Sequence, residues 1–179
     1  MTGPNDDAVW VARCLNGDPT AFETLVRRYQ QVLFTVALRL TGNAEDARDV
    51  TQNAFVRAYL KLDTYDPSRK FFSWLYRIAV NEGLNARRDR RQHEPLEETF
   101  EAKAGRDPVE RGETSGQVQA ALMALTREYR EVIVMRYFGE LSYDEIAEVI
   151  GIPEKTVKSR LFSARQRLGE ILKDRSVSS

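Results

Sequence analysis

Residues 141–168 read LSYDEIAEVIGIPEKTVKSRLFSARQRL. Ser142 and Glu145 have the S-x-x-E spacing of a capping box, in which two orphan amide donors at a helix start are satisfied reciprocally. Ile146, Ala147 and Ile150 form the inner face of that helix. Gly151 supplies the left-handed residue after its last turn, and Ile152-Pro153 leads into a second helix. There Val157, Leu161, Ala164 and Leu168 recur at four, three and four residues, a single apolar stripe. Lys155, Thr156, Lys158, Ser159, Phe162, Ser163 and Gln166 fall opposite it. A recognition helix needs this division: one face anchored apolarly, the other carrying short polar and basic side chains that reach base edges and phosphates. Phe162, an aromatic on the wet face, could contact a thymine methyl. The stretch predicts a helix-turn-helix.

Working outward, the apolar spacing stays helical nearly everywhere and no strand pattern stands out. Before the motif, helices are expected over about 118–124 and 127–137, with the motif's own helices over 143–150 and 154–172. Toward the N-terminus, a short helix is expected near Asp7 to Leu15. Asp18-Pro19 caps a second helix running from about Thr20 to Leu40. Thr41-Gly42 ends it, and Asn43 with Asp46 starts a third that continues to about Leu62. Asp66-Pro67-Ser68 is a turn, and a fourth helix begins near Lys70 and runs to about Arg91, with an interruption around Asn81 to Gly83. From His93 to about Gly116 the stretch HEPLEETFEAKAGRDPVERGETSG is acidic, with two Pro and three Gly and no sustained stripe. It reads as a flexible, self-repelling linker. The expected architecture is all-α: two small helical domains, residues 1–92 and 116–179, joined by an acidic linker over 93–115, with the helix-turn-helix in the second.

The chain has 179 residues, 42% hydrophobic and 30% charged, enough apolar content to build a core. One cysteine, Cys14, excludes an intramolecular disulfide framework and fits a reducing compartment, and one histidine, His93, excludes a His-rich metal site. No apolar run approaches the ~20 residues needed to span a bilayer, and the acidic N-terminus lacks the features of a signal peptide. A cytoplasmic location is expected. No Gly-rich phosphate loop, nucleophile motif or metal-ligand cluster points to an enzyme, a cofactor or a metal.

Twenty-seven basic and 27 acidic residues cancel, yet the distribution is uneven. Residues 1–92 carry 14 basic and 11 acidic groups, 93–115 carry 3 and 7, and 116–179 carry 10 and 9. Two windows concentrate positive charge, 69–91 and 153–175, each at the end of a helical block. Two polyanion-facing surfaces on two modules is the functional reading; Lys and Arg solvating helix faces would explain either window taken singly. Within the first window, Lys70-Phe71-Phe72-Ser73-Trp74-Leu75-Tyr76-Arg77 places four aromatics among six positions, 71–76, beside cations. A helix buries one stripe, so Phe71, Leu75, Ile78 and Ala79 are expected inside, while Phe72, Trp74 and Tyr76 cannot all join them. Exposed rings beside cations suit single-stranded nucleic acid, whose bases stack at ~1–3 kcal/mol each.

DARDVTQNAFVRAYLKLDTYD at 46–66, FFSWLYRIAVN at 71–81 and the stretch at 141–168 resemble, in the expected order, the blocks of bacterial extracytoplasmic-function sigma factors, the small two-domain class of RNA polymerase specificity subunits. The resemblance covers about residues 6–173. It implies that the helix holding Asp46, Asp49, Gln52, Asn53 and Phe55 docks on the polymerase clamp. It implies too that Lys70, Phe72, Trp74, Tyr76, Arg77, Asn81, Arg87 and Arg88 serve the opening of the minus-ten element, Asn81 at the loop that captures a flipped base. In the second module, Lys155, Thr156, Lys158, Ser159, Phe162 and Ser163 would read the minus-thirty-five duplex, with Arg160 and Arg165 on phosphates. The family usually has Glu where this chain has Asn53, many members have Asp where it has Asn85, and some carry Arg where it has Ser163. The implied partners are core RNA polymerase at its clamp and flap, promoter DNA both duplex and single-stranded, and an anti-sigma protein. A stand-alone helix-turn-helix regulator acting as a dimer remains a second reading of the same motif, and an all-helical adaptor or enzyme a third.

Overall fold

The computed structural model of the chain describes residues 5–81 and 112–177. Eight α-helices make up most of them, and no strand occurs among the described residues. They are α1 (Asn5–Leu15), α2 (Pro19–Thr41), α3 (Ala44–Leu60), α4 (Phe71–Ala79), α5 (Gly112–Ala124), α6 (Arg127–Tyr137), α7 (Tyr143–Ile150) and α8 (Glu154–Val177), with a 3-10 turn at Leu62–Thr64. Arg87, Arg88, the expected helix continuation over 82–91 and the acidic stretch over 93–111 lie outside the described residues.

The chain forms two compact units, Met1–Phe34 with Arg48–Glu101, and Thr35–Ala47 with Ala102–Ser179. In the first, Leu25, Leu33, Ala54, Phe71, Leu75 and Tyr76 are buried. Each full burial of a side chain as large as leucine or phenylalanine contributes about 1.5–3 kcal/mol. Local chemistry sets the helix limits. Asp18 Oδ1 accepts the Thr20 N–H at 3.1 Å at the start of α2, and its hydrogen bonds from Thr20 and Arg13 hold its carboxyl below the usual aspartate range. Asn43 Oδ1 accepts the Asp46 N–H at 3.1 Å at the start of α3. One polar contact also ties α1 to α2. Asp7, 3% exposed, accepts from Arg28 Nη1 at 2.8 Å and from the Tyr29 hydroxyl.

In the second unit α8 packs against α5, α6 and α7. Val157, Leu161 and Ala164 are fully buried, as their spacing predicts, and Leu168 is half-buried. The capping box at α7 is present in both directions: Glu145 N–H donates to Ser142 Oγ, and Ser142 N–H donates to Glu145 Oε2 at 2.7 Å. Gly151 follows α7 at φ 69°, a conformation that costs an L-residue about 1–2 kcal/mol. Helix α5 begins at Gly112, six residues before the expected start. One residue of α2 supports the extra length. Arg39 donates to Ser115 Oγ at 3.1 Å and to Gln119 Oε1 at 2.9 Å, a tertiary anchor invisible to periodicity. At the other end of α5, Arg130 donates to the carbonyls of Leu122, Met123 and Leu125, which no later turn of helix can satisfy.

Candidate nucleic-acid interface

The wet face of α8 stands as its spacing predicts. Lys155, Lys158, Ser159, Phe162, Arg165 and Gln166 are exposed, and Phe162 is 60% exposed. Thr156 and Ser163 are half-buried along its border. An exposed phenylalanine between serines is unfavourable in water unless another surface covers it. Lys158 is not loose: Nζ lies 2.7 Å from Glu154 Oε1 and 5.8 Å from the centroid of the Tyr143 ring. The hydrogen bond to Glu154 holds its ammonium above the usual lysine range. Arg160 turns away from the wet face, half-buried, with Nη2 3.6 Å from Glu128 on α6. Arg165 Nε bonds back to Leu161 O at 3.2 Å.

In the aromatic segment, Trp74 stays outside the buried stripe, as expected of at least one of these rings, but Phe72 and Tyr76 are not exposed stacking rings. Phe72 is 7% and Tyr76 only 1% exposed; Trp74 is half-buried. The physical reason is that α4 is covered on more than one side. Tyr29 from α2 stacks on Phe72 at 5.6 Å and 23° and also meets Phe71 at 5.6 Å. Tyr65, from the connection before α4, meets Phe71 edge-on at 5.4 Å and Trp74 at 5.5 Å. Its hydroxyl donates to Arg69 O at 2.6 Å, and burial pushes its pKa up to about 12. Burial and the bond to Asp7 likewise raise that of Tyr29. Lys70 at the N-cap, Arg77 and Asn81 remain exposed, and the backbone widens into a π-turn at Val80–Asn81. Sequence reasoning missed Asp7 and Tyr29 as supports of this face. The available signal was Asp7 four residues before the buried Val11, an acid on an apolar stripe.

On α3, Asp49, Gln52 and Asn53 are exposed, Asp46 is half-buried in the first turn, and Phe55 is 8% exposed. Gln52 and Phe55 line a groove of about 570 Å³ that α2 closes with Val26, Gln30 and Phe34. Val56 at the groove, and Tyr59 and Leu60 a turn on, leave 55%, 48% and 69% of their surfaces exposed, an apolar continuation of the same helix face. Among the described residues, no group of acidic, His or Cys side chains could hold a metal ion, and no helix is long and apolar enough to cross a membrane.

Comparison with known proteins places this geometry. Residues 25–93 match sigma-70 region 2, and residues 115–168 match sigma-70 region 4. That pairing defines the class, a promoter-directing subunit of RNA polymerase. The ECF RNA polymerase sigma factor SigW of Bacillus subtilis is 35% identical over 172 residues, 88% of this chain and 92% of that protein. The ECF RNA polymerase sigma-E factor of Escherichia coli K12 is 33% identical over 176 residues, 90% and 92% of the two chains. Among solved structures, CnrH in complex with the cytosolic domain of CnrY has a TM-score of 0.72 at 30% identity, covering 94% of this chain and 97% of that one. RpoE in complex with the anti-sigma factor NepR from Bartonella quintana has a TM-score of 0.75 at 27% identity, covering 85% and 96%. The chain belongs to the extracytoplasmic-function family of RNA polymerase sigma factors. It acts in transcription initiation with core polymerase and promoter DNA rather than as a stand-alone regulator.

Proposed function

We propose that the labour of initiation is divided between residues 1–92 and 116–179, with 93–115 joining them. The second set holds upstream duplex on the wet face of α8, where Lys155, Lys158, Ser159, Phe162 and Ser163 meet base edges and Arg165 meets phosphate. The inward turn of Arg160 toward Glu128 supports a role in holding α8 against α6 instead. The first set meets the opened downstream strand through Lys70, Trp74, Arg77 and Asn81, while Phe72 and Tyr76 support that face from the core. Unstacking a base costs a few kcal/mol, which ring stacking and a specific contact must offset. Asp49, Gln52 and Asn53, with the groove at Phe55, form the polymerase-facing surface. Chemistry belongs to the polymerase active site; the chain supplies specificity. The solved complexes of CnrH and RpoE support an anti-sigma partner for this chain too. A cytoplasmic location follows from work on polymerase.

The exposed Phe162, on a helix whose opposite edge of Val157, Leu161 and Ala164 is fully buried, carries the reading. Reconstituted transcription with bacterial core polymerase tests it. Initiation from promoters selected by the holoenzyme is expected; absence of both initiation and co-purification with core would reject it.

A further inference from the structure

Glu154 opens α8 and stands on the same face as Lys158, one turn away. An acid at the edge of a DNA-facing surface repels phosphate, so its presence there calls for an explanation. Three observations bear on it. Glu154 Oε1 holds the Lys158 ammonium at 2.7 Å. The Tyr143 ring lies 5.8 Å from the same ammonium, with the Arg136 guanidinium 5.2 Å from that ring as well. Lys158 itself stays 56% exposed, so the pair is presented to solvent rather than buried.

An ammonium has three donors, and the bond to Glu154 uses one. The other two can reach adjacent acceptors such as guanine N7 and O6 without breaking that bond. Moving to a backbone phosphate is a different matter. To bond a phosphate, the ammonium must draw that anion beside the Glu154 carboxylate it already holds, and the repulsion opposes the contact, whereas a neutral guanine edge meets none. The pair therefore accepts a base-edge contact and opposes a backbone one, and an element repulsive to one state only discriminates between the two. Fixing a long lysine chain in advance also lowers the ordering cost of the specific contact.

We propose that Glu154 is a specificity-determining positioning residue, which aims Lys158 at the acceptor edge of a guanine and keeps it off the DNA backbone. This rests on the reading of α8 as the duplex-facing helix. The test uses holoenzyme made from the full chain and core polymerase. Its probes are the duplex enriched by wild-type holoenzyme from a randomised pool and a shuffled duplex of equal length. In E154Q, affinity for the shuffled duplex is expected to rise roughly two- to fivefold, the scale of an exposed ion pair. Its log K against log salt slope should steepen by about 0.9, one added phosphate contact. Affinity for the enriched duplex is expected to hold or fall, so the ratio between the two drops. In a K158A background E154Q should no longer change that ratio. Equal gains on both duplexes, or an equal loss of ratio without Lys158, would overturn the proposal and leave the duplex-facing helix standing. K158A without effect on either duplex would instead strike that parent reading.

Discussion

Phe72 on α4 and Phe162 on α8 occupy segments of the same written character, aromatics set among lysines and arginines on short-period helices. In space they part company: Phe72 is 7% exposed and Phe162 is 60% exposed. The difference lies in the neighbours. Helix α4 has nine residues and receives Tyr29 from one side and Tyr65 from another, so more than one stripe goes inside. Helix α8 is longer and packs along its Val157, Leu161 and Ala164 edge, leaving a wet face free. A ring beside a cation is thus a core side chain or a contact surface according to how many elements cover its helix, which composition does not encode.

Truncating the two rings separates them most sharply. Phe72→Ala should cost about 3 kcal/mol of stability, as for other buried aromatics. Phe162→Ala should change stability by less than about 0.5 kcal/mol while weakening promoter binding. Both tryptophans, Trp10 and Trp74, fall in the first unit, so denaturant titration followed by intrinsic fluorescence reports on Phe72. An unchanged midpoint there would break the contrast.

The support behind α4 gives the next effect. Asp7→Asn removes the charge that holds Arg28 and weakens the acceptor of Tyr29, and should cost about 2 kcal/mol by the same titration. Tyr65→Phe should cost about 1 kcal/mol at neutral pH through the lost bond to Arg69 O. It also carries a pH signature. The folded state raises the Tyr65 pKa from 10.0 to about 12, so it favours the protonated phenol. The associated stability is complete below pH 10 and is lost as pH climbs toward 12. Tyr65→Phe should flatten that alkaline decline. On the second unit, Ser142→Ala deletes the capping box and should cost about 1 kcal/mol, read by hydrogen exchange of α7 amides.

The helix-turn-helix was legible because its signals are local. Ser142, Glu145, Gly151 and the Val157 stripe each act within one or two turns, and α6 and α7 match the bounds their spacing predicts. The all-helical class followed from the same periodicity. Tertiary effects were not legible. The early start of α5 depends on Arg39, some 76 residues before Ser115, and the burial of Phe72 and Tyr76 depends on Tyr29. The groove beside Phe55 needed Val26 and Phe34 from another helix. The spacing did place Asp49 and Gln52 on one face of α3, but the exposed Val56, Tyr59 and Leu60 that extend it emerge only once the inner stripe is packed.

Abortive initiation by holoenzyme carrying Phe162→Ala, on the promoter that wild-type holoenzyme selects, puts the most direct strain on the account, with amide protection of α8 measured on the same preparation. Loss of an apolar base contact predicts initiation down by about tenfold with α8 protection unchanged. Wild-type initiation from that promoter, with the ring gone and the helix intact, would contradict it.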